Sequence, residues 1–183
     1  MGVPKMFLEV RHGVSFLDAC VDVFISFGCK EVLVVTSPSC MELVDFKPSW
    51  TGVVRLVHNT HPDFGRFYSL QCGLKALSEI RPVFIHNVDN PFISLEVLSA
   101  LASNDSKASV IRPSFNKKRG HPVLIRNNVV IDMLSEKNYA HNLRDYLAKY
   151  ANASVAVQNT GILQNINTPE DYKKIRQRNC DPS

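Results

Sequence analysis

The apolar positions of this chain follow two different patterns, helical spacing and short uninterrupted runs. Between residues 15 and 28, apolar side chains recur at helical spacing, and this pattern predicts an amphipathic helix with one buried face. Ser15, followed three residues later by Asp18, is typical of a capping box, and Gly28 suits a helix end. Short uninterrupted apolar runs elsewhere predict buried strands.

The same patterns predict the remaining elements. Extended segments are expected at 32–35, 53–57, 83–88, 108–111, 123–125, 154–158 and 162–166, with Pro113 closing the fourth of them. Helices are expected at 68–77, 95–101, 129–134 and 143–150, and a last helix is expected after Thr168, with Pro169 at its first position. Strands that alternate with helices indicate an α/β fold with a mostly parallel sheet. In such sheets, ligands bind outside the carboxyl ends of the strands.

Composition restricts the partners. The 183 residues suit one domain, 1–183, and 45% of them are hydrophobic and 21% charged, as in ordinary globular proteins. The net charge of +4 is mild and Lys and Arg form no long block, so we do not expect nucleic acid as a partner, whereas a nucleoside triphosphate would suit the charge. We expect no membrane partner either, because no stretch reaches the ~20 apolar residues that span a bilayer. Five cysteines without C-x-x-C spacing, and no signal-peptide pattern, favour reduced thiols in the cytoplasm.

The stretch VFIHNVDNPFIS, residues 83–94, raises the question of what a carboxylate does at the end of an apolar run. Asp89 follows the run, and Asn90-Pro91 end it. One interpretation is an ordinary surface turn, which aspartate often begins. The other is a metal ligand, because a strand's carboxyl end is where α/β sheets bind ligands.

A second polar group lies near the end of the chain. In an extended segment, Asn165 and Asn167 point to one face while Ile166 points to the core. The two amide oxygens could share a hard cation with Asp89, because Mg²⁺ takes oxygen ligands and completes its octahedron with water and phosphate. Turn chemistry before a helix cap is the alternative interpretation.

Three weaker features complete the candidate set. Lys5, in Met-Gly-x-Pro-Lys, is either an incidental terminal lysine or the end of a phosphate loop. Gly73 lies inside a predicted helix, where close approach of a ligand or simple helix–sheet packing would explain a glycine. His121, in Gly-His-Pro, is either a structural turn residue or an acid, base or hydrogen-bond donor.

Taken together, these stretches resemble a known family. MG-x-PK, G-x-x-x-S-L-x-x-G-L, VDNPFI, GHPVL and GIL-x-NINTPEDY occur here in the order and spacing of the MobA-like nucleotidyltransferases, a family that includes the enzymes that attach CMP or GMP to molybdopterin. The resemblance extends from Met1 to about residue 175. The PK and GHPVL stretches are more similar to the cytidylyltransferase branch than to the guanylyltransferase branch.

The resemblance implies a three-layer α/β/α fold of the nucleotide-diphospho-sugar transferase type. It also implies that Asp89 holds Mg²⁺, with Asn167 and the neighbouring Asn165 at the second metal-side position. Gly2 and Lys5 match the end of the phosphate loop, and Lys5 is expected to contact the triphosphate.

Two further matches concern the substrates. Ser69 and Gly73 match positions that line the nucleotide pocket, and His121 matches the turn near the acceptor. The reaction implied is attack of an acceptor phosphate oxygen on the α-phosphorus of CTP or GTP, with release of pyrophosphate. Such a transfer depends on charge neutralisation and in-line positioning rather than on a covalent nucleophile.

The start of the chain departs from the family pattern. Relatives open with a strand and a glycine-rich loop that ends in Met-Gly, and here Met-Gly stands at positions 1 and 2. We therefore expect the first strand to be missing from the middle of the sheet, beside the strand that leads to Asp89, and Met1 to be an internal methionine. Two alternatives to a CTP-using transferase remain: a non-catalytic paralogue of this nucleotide fold and a sugar-phosphate nucleotidyltransferase.

Overall fold

The computed structural model describes residues 3–178. Its strands are β1 (Glu9–Arg11), β2 (Val14–Ser15), β3 (Val32–Thr36), β4 (Val54–His58), β5 (Val83–Ile85), β6 (Val110–Phe115), β7 (Lys118–Arg119), β8 (Val123–Ile125) and β9 (Asn152–Ala156). Its α-helices are α1 (Phe16–Phe27), α2 (Pro38–Met41), α3 (Gly65–Lys75), α4 (Leu95–Ala102), α5 (Asn127–Ser135), α6 (Leu143–Ala148) and α7 (Pro169–Arg178). Short 3₁₀ helices span Lys5–Phe7, Pro48–Trp50, Pro62–Phe64 and Thr160–Leu163. Among residues 3–178, no helix is both long and apolar enough to span a bilayer.

Helix α1 begins and ends where its pattern predicts. The Ser15 side chain accepts a hydrogen bond from the Asp18 amide, and the Asp18 carboxylate accepts one from the Ser15 amide, which completes the capping box. Gly28 ends the helix in the left-handed conformation, with φ of 92°. The Asp18 carboxylate also pairs with Lys47 at 2.8 Å.

Helices cover both faces of the strands. Apolar residues of α3, α5 and α6 pack on one face, and those of α1 and α4 pack on the other. The side chains of β8 alternate between the two faces of the sheet. Val123 and Ile125 pack in the hydrophobic core beneath α3, α5 and α6, and Leu124 packs in the core on the α4 side. The predicted three-layer α/β/α fold is therefore confirmed.

The strands form a mixed arrangement. In the larger sheet the order is β5-β8-β6-β7, and β9 pairs in parallel with β6. Strand β8 runs antiparallel to both β5 and β6, and β7 runs antiparallel to β6. The reversal at β7 follows from a two-residue hairpin in which Asn116 and Lys117 both have positive φ, 47° and 65°.

Several predicted boundaries differ from the observed ones, among them those of β6, β9 (predicted at 154–158), α6 (predicted at 143–150) and the segment 162–166. Strand β6 does not end at Pro113 but runs on to Phe115, because Pro113 still offers its carbonyl, which accepts a hydrogen bond from the Gly120 amide at 2.9 Å. The segment 162–166 is not extended throughout, because the Thr160–Leu163 3₁₀ helix occupies its first part.

The strand predicted at 83–88 is also shorter than its apolar run. Strand β5 ends at Ile85, and a turn closed by the Asn90 amide and the Asn87 carbonyl, 3.1 Å apart, follows it. Strands β3 and β4 form a separate parallel pair. Within the described part of the chain no backbone pairing joins β3 to β5.

Candidate active site

Asp89 is held by its backbone rather than by its side chain. The turn after β5 presents the Asp89 carbonyl to the Ile166 amide, which donates to it at 2.7 Å. The side-chain oxygen Oδ1 is shielded from solvent and has no hydrogen-bond donor among the described residues. A buried carboxylate oxygen without a partner is costly, so this atom is the strongest indication of a bound cation or ligand.

The two asparagines near Asp89 point outward as predicted. Ile166 is buried with 5% exposure, and Asn165 and Asn167 on either side of it are exposed. Both amide oxygens already accept hydrogen bonds: that of Asn165 from Asn90 Nδ2 at 3.2 Å, and that of Asn167 from Lys5 Nζ at 2.9 Å. Each carbonyl oxygen keeps a second lone pair, which a cation can use.

Lys5 lies at the carboxyl end of β3. It begins the first 3₁₀ helix, whose next residue, Met6, is buried and accepts a hydrogen bond from Thr36 Oγ1 at 3.7 Å through its sulfur. Thr36 is the last residue of β3, so the Lys5 ammonium is held at the same edge as Asp89. Gly2, the other residue matched to the phosphate loop, lies outside the described residues.

Ser69 and Gly73 lie on successive turns of α3. Ser69 Oγ accepts a hydrogen bond from Asn59 Nδ2 at 2.8 Å and donates one to the Gly65 carbonyl at 3.1 Å. A Cβ at Gly73 would lie 2.9 Å from Val35 Cγ2, so close helix–strand packing explains this glycine. Gly73 also lines the cavity beside β3, where it contributes no side chain.

A single cavity of about 570 Å³ brings four of the predicted residues together: Lys5, Ser69, Gly73 and Asp89. Its lining also includes Arg66 and His86, which sequence reasoning missed. Arg66 stands in the same glycine-serine stretch as Ser69, and its place in the first turn of α3 was the available signal. His86 gave no signal, because its contact with the cavity depends on where β5 ends.

His121 does not line this cavity but lies beside it. Its ring centroid is 6.3 Å from that of His86, and the Nδ1 atoms of both rings are buried without partners among the described residues. Burial lowers the pKa of His121, and Arg66 and Arg112 lower it further, while the Asp89 carboxylate opposes them. The neutral His121 imidazole therefore lies next to the cavity and interacts electrostatically with the Asp89 carboxylate.

The turn that carries His121 is fixed by close backbone contact. The His121 amide donates to the Ile162 carbonyl at 3.0 Å, and a Cβ at Gly120 would lie 2.4 Å from that same oxygen. Only glycine fits there without moving the Thr160–Leu163 helix.

We expect Gly120→Ala to lower the free energy of unfolding by about 2 kcal/mol, because the added methyl group would force two backbone segments apart. Urea unfolding followed by tryptophan fluorescence measures the change. An unfolding midpoint equal to that of the wild type would contradict the close contact.

The described cysteines show no sign of forming a nucleophile or a metal centre at the site. The four described cysteines, Cys20, Cys29, Cys40 and Cys72, are not disulfide-bonded, and Cys180 lies outside the described residues. Burial raises the pKa of Cys20 to about 12, with the Asp89 charge adding to the effect, so this thiol stays protonated. Residues 3–178 contain no cluster of three or more His, Cys, Asp or Glu side chains that could hold a metal.

Known proteins share both the sequence pattern and the fold. The chain is 24% identical over 180 residues to the molybdenum cofactor cytidylyltransferase of Escherichia coli (strain K12), covering 97% of this chain and 90% of that protein. Rv0371c of Mycobacterium tuberculosis H37Rv, in its complex with manganese, superimposes with a TM-score of 0.74 at 16% identity, covering 96% of this chain and 93% of that one. The 4-diphosphocytidyl-2C-methyl-D-erythritol synthase of Anaerococcus prevotii superimposes with a TM-score of 0.76 at 16% identity, covering 97% and 90%.

The family model described as the MobA-like NTP transferase domain matches residues 1–155, which include Lys5, Ser69, Gly73, Asp89 and His121. That span is well over half of the 183 residues. The chain therefore belongs to the MobA-like NTP transferase family and is a nucleotidyltransferase.

Proposed function

We propose that this chain transfers a nucleoside monophosphate, CMP in preference to GMP, from a nucleoside triphosphate to a phosphate-bearing acceptor such as molybdopterin. The observation that carries the proposal is the unpartnered Oδ1 of Asp89, at the edge of a cavity that also receives Lys5 and Arg66. A carboxylate that lacks a donor, set among cationic side chains, suits a site that binds a polyphosphate together with a divalent cation.

The residues present fit Mg²⁺. Asp89 would hold the ion through a carboxylate oxygen, and the amide oxygens of Asn165 and Asn167 would complete the protein's share of an all-oxygen set. When bound, the ion supplies neutralisation of the phosphate charge and orientation of the reacting groups. The manganese complex of the structurally similar Rv0371c is consistent with a divalent ion in this fold.

Lys5 is suited to bind the triphosphate because its hydrogen-bond partner is neutral. Its Nζ donates to the Asn167 amide oxygen at 2.9 Å, which orients the ammonium group without cancelling its charge. Arg66 adds a second cation at the exposed start of α3. Together they would stabilise negative charge on the phosphates as the acceptor oxygen attacks and pyrophosphate leaves.

The choice of CTP rests on relatives. The relative from E. coli is named a cytidylyltransferase, and the structural neighbour from A. prevotii is named for a diphosphocytidyl product. Both names indicate transfer of a cytidylyl group, and the name of the E. coli relative supports a molybdopterin-type acceptor.

The direct test is release of pyrophosphate from CTP or GTP by the purified protein with Mg²⁺ and molybdopterin. We expect pyrophosphate and a CMP–acceptor product in equal amounts, faster with CTP than with GTP, and neither when the metal is chelated. Turnover with sugar phosphates but not with molybdopterin would indicate a sugar-phosphate nucleotidyltransferase. Nucleotide binding without pyrophosphate release, with any of these acceptors, would indicate a non-catalytic paralogue.

A second test addresses Asn167. We expect Asn167→Asp to lower the Mg²⁺ concentration for half-maximal activity several-fold, because a carboxylate attracts a cation more strongly than a neutral amide does. A titration of activity against Mg²⁺ measures the change, with Asn128→Asp, on helix α5, as the control. An unchanged titration would mean that residue 167 orients Lys5 and does not touch the ion.

A further inference from the structure

Three arginine side chains, those of Arg112, Arg119 and Arg144, lie on one face of the larger sheet. Arg112 is on β6, and Arg119 on β7 pairs with Ser114, two residues further along β6. Because the side chains of a strand alternate between its faces, all three of these residues point to the same side. Helix α6, which carries Arg144, covers that side, because Val110 of β6 packs with α6 in one core. Together the three arginines form an arginine platform.

Neutral side chains of β9 hold the platform in place. Arg112 Nη1 donates a hydrogen bond to Asn152 Oδ1, and Arg119 Nε donates one to Ser154 Oγ at 3.0 Å. Strands β7 and β9 both pair with β6 at Ser114, so they lie along its opposite edges and the Arg119 side chain crosses β6 to reach β9. These partners fix the two guanidinium groups without cancelling their charge, and each guanidinium keeps further N–H donors.

Carboxylates do not balance the charge of the platform. Among residues 3–178, none of the three arginines forms an ion pair, and even Asp145, which follows Arg144 in the chain, pairs with none of them. Arg112 is half-buried, and this burial, together with the charges of Arg119 and Arg144, lowers the pKa of its guanidinium. Like charges held this close repel one another, and a bound anion would remove that repulsion.

The platform lies at the functional edge of the sheet. Strands β5 and β6 both run antiparallel to β8, so their carboxyl ends share one edge. Burial lowers the pKa of His121, the Asp89 carboxylate opposes the shift, and Arg66 and Arg112 add to it, so this ring lies near both the cavity and the platform. None of the platform arginines lines the cavity that Lys5 and Arg66 line. The platform is therefore a second cationic site beside the first.

We propose that the arginine platform binds an oxyanionic group of the acceptor substrate, other than the phosphate whose oxygen attacks the nucleotide. The planar N–H pairs of guanidinium groups match the oxygens of phosphate, sulfate or carboxylate groups. The attacking phosphate must enter the cavity with Lys5 and Asp89, so an anion on the platform is a separate group. The acceptor is thus a small molecule with anionic groups at two places, which the platform orients. Naming the acceptor as the ligand rests on the proposed function.

The first test measures anion binding on the whole 183-residue chain, labelled with ¹⁵N. Inorganic phosphate is the probe, and NMR follows the Nε–Hε resonances of the arginines, first without and then with saturating CTP and Mg²⁺. We expect the resonances of Arg112 and Arg119 to shift with one dissociation constant in both titrations. Arg119→Gln should weaken this binding about tenfold, because it removes a charged hydrogen-bond donor. Lys118→Gln removes the same charge from the opposite face of β7 and should leave the binding unchanged.

The second test is kinetic. Arg119→Gln and Arg144→Gln should each raise KM for the acceptor about tenfold and leave KM for CTP unchanged, because only the acceptor contacts the platform. Arg119→Lys keeps the charge and should recover part of the loss, and Lys118→Gln is again the control.

Four outcomes would overturn the proposal. These are phosphate shifts confined to the backbone amides of Lys5 and Arg66, loss of phosphate binding when CTP is present, a raised KM for CTP in the platform variants, and equal effects of Lys118→Gln and Arg119→Gln. Absence of turnover with every acceptor would overturn the proposed function and, with it, the acceptor as ligand. Phosphate binding that Arg119→Gln weakens would still show the oxyanion site, so the two failures are distinguishable.

Discussion

Replacing Asp89 by alanine should reduce metal-dependent pyrophosphate release by about a hundred-fold or more while leaving the fold intact. Loss of one group that stabilises charge at a reacting phosphate has an effect of this size. The fold should persist because the Asp89 carbonyl, not its carboxylate, makes the hydrogen bond to Ile166. Removing a buried oxygen that lacks a partner can even raise the melting temperature.

Initial rates at saturating CTP and Mg²⁺ measure the loss of activity, and Mn²⁺ binding followed by electron paramagnetic resonance measures the loss of the ion. Asp105→Ala is the matched control, because Asp105 is an exposed carboxylate in the loop that leads into the amino end of β6. Asp89→Asn keeps the shape and removes the charge, so it should lose as much activity as the alanine variant. Wild-type turnover in either Asp89 variant would remove this residue from the site.

Helix α1 shows how far sequence reasoning reaches when local signals agree. Its apolar spacing, its capping box and its terminal Gly28 all depend on residues within one short segment, and each was confirmed. The alternation of strands and helices predicted an α/β fold, and the three-layer architecture was predicted from the family resemblance.

The order of the strands could not be predicted in the same way. Strand β8 lies between β5 and β6 and runs against both, and nothing local to Val123–Ile125 specifies those neighbours. Strand β7 is two residues long, and its hairpin uses Asn116 and Lys117 rather than a glycine, which hid the turn. Pairing between distant segments decides such features, and a single sequence does not display it.

The candidate site shows the same difference between residues that local sequence predicts and residues that only tertiary packing brings together. Asp89 was predicted as a site residue because it follows an apolar run, and the carboxyl end of a strand is where α/β sheets bind ligands; the structure places it in the cavity with Lys5. Arg66 and His86 reach the same cavity through tertiary packing, so residue type and spacing did not identify them. The hydrogen bond between Lys5 and Asn167, which joins residues 162 positions apart, was equally invisible until the chain was folded.

His86 is the basis of the prediction with the largest expected effect on stability. Its Nε2 lies 2.7 Å from the Asn90 carbonyl oxygen, and a carbonyl only accepts, so Nε2 carries the hydrogen and Nδ1 is left as an acceptor. Burial lowers the pKa of His86 from 6.5 to about 4; the bond to Asn90 opposes this shift, and His121 adds to it. The folded protein therefore holds a neutral ring at a pH where the unfolded chain already binds a proton.

We expect the free energy of unfolding to fall by about 3 kcal/mol from this one group as the pH is lowered from 7 to 4, because in that interval the unfolded state binds more protons than the folded state. His86→Gln keeps a nitrogen donor for Asn90 and cannot titrate, so its stability should fall much less over the same interval. Urea unfolding at pH 7, 5.5 and 4 measures both slopes, with His12→Gln, at an exposed position, as the control. The fall that remains in His86→Gln reports the other titrating groups, among them His121, whose pKa burial also lowers. Equal pH slopes for the wild type and His86→Gln would show that the His86 ring is charged in the folded protein and that the cavity admits enough water to solvate it.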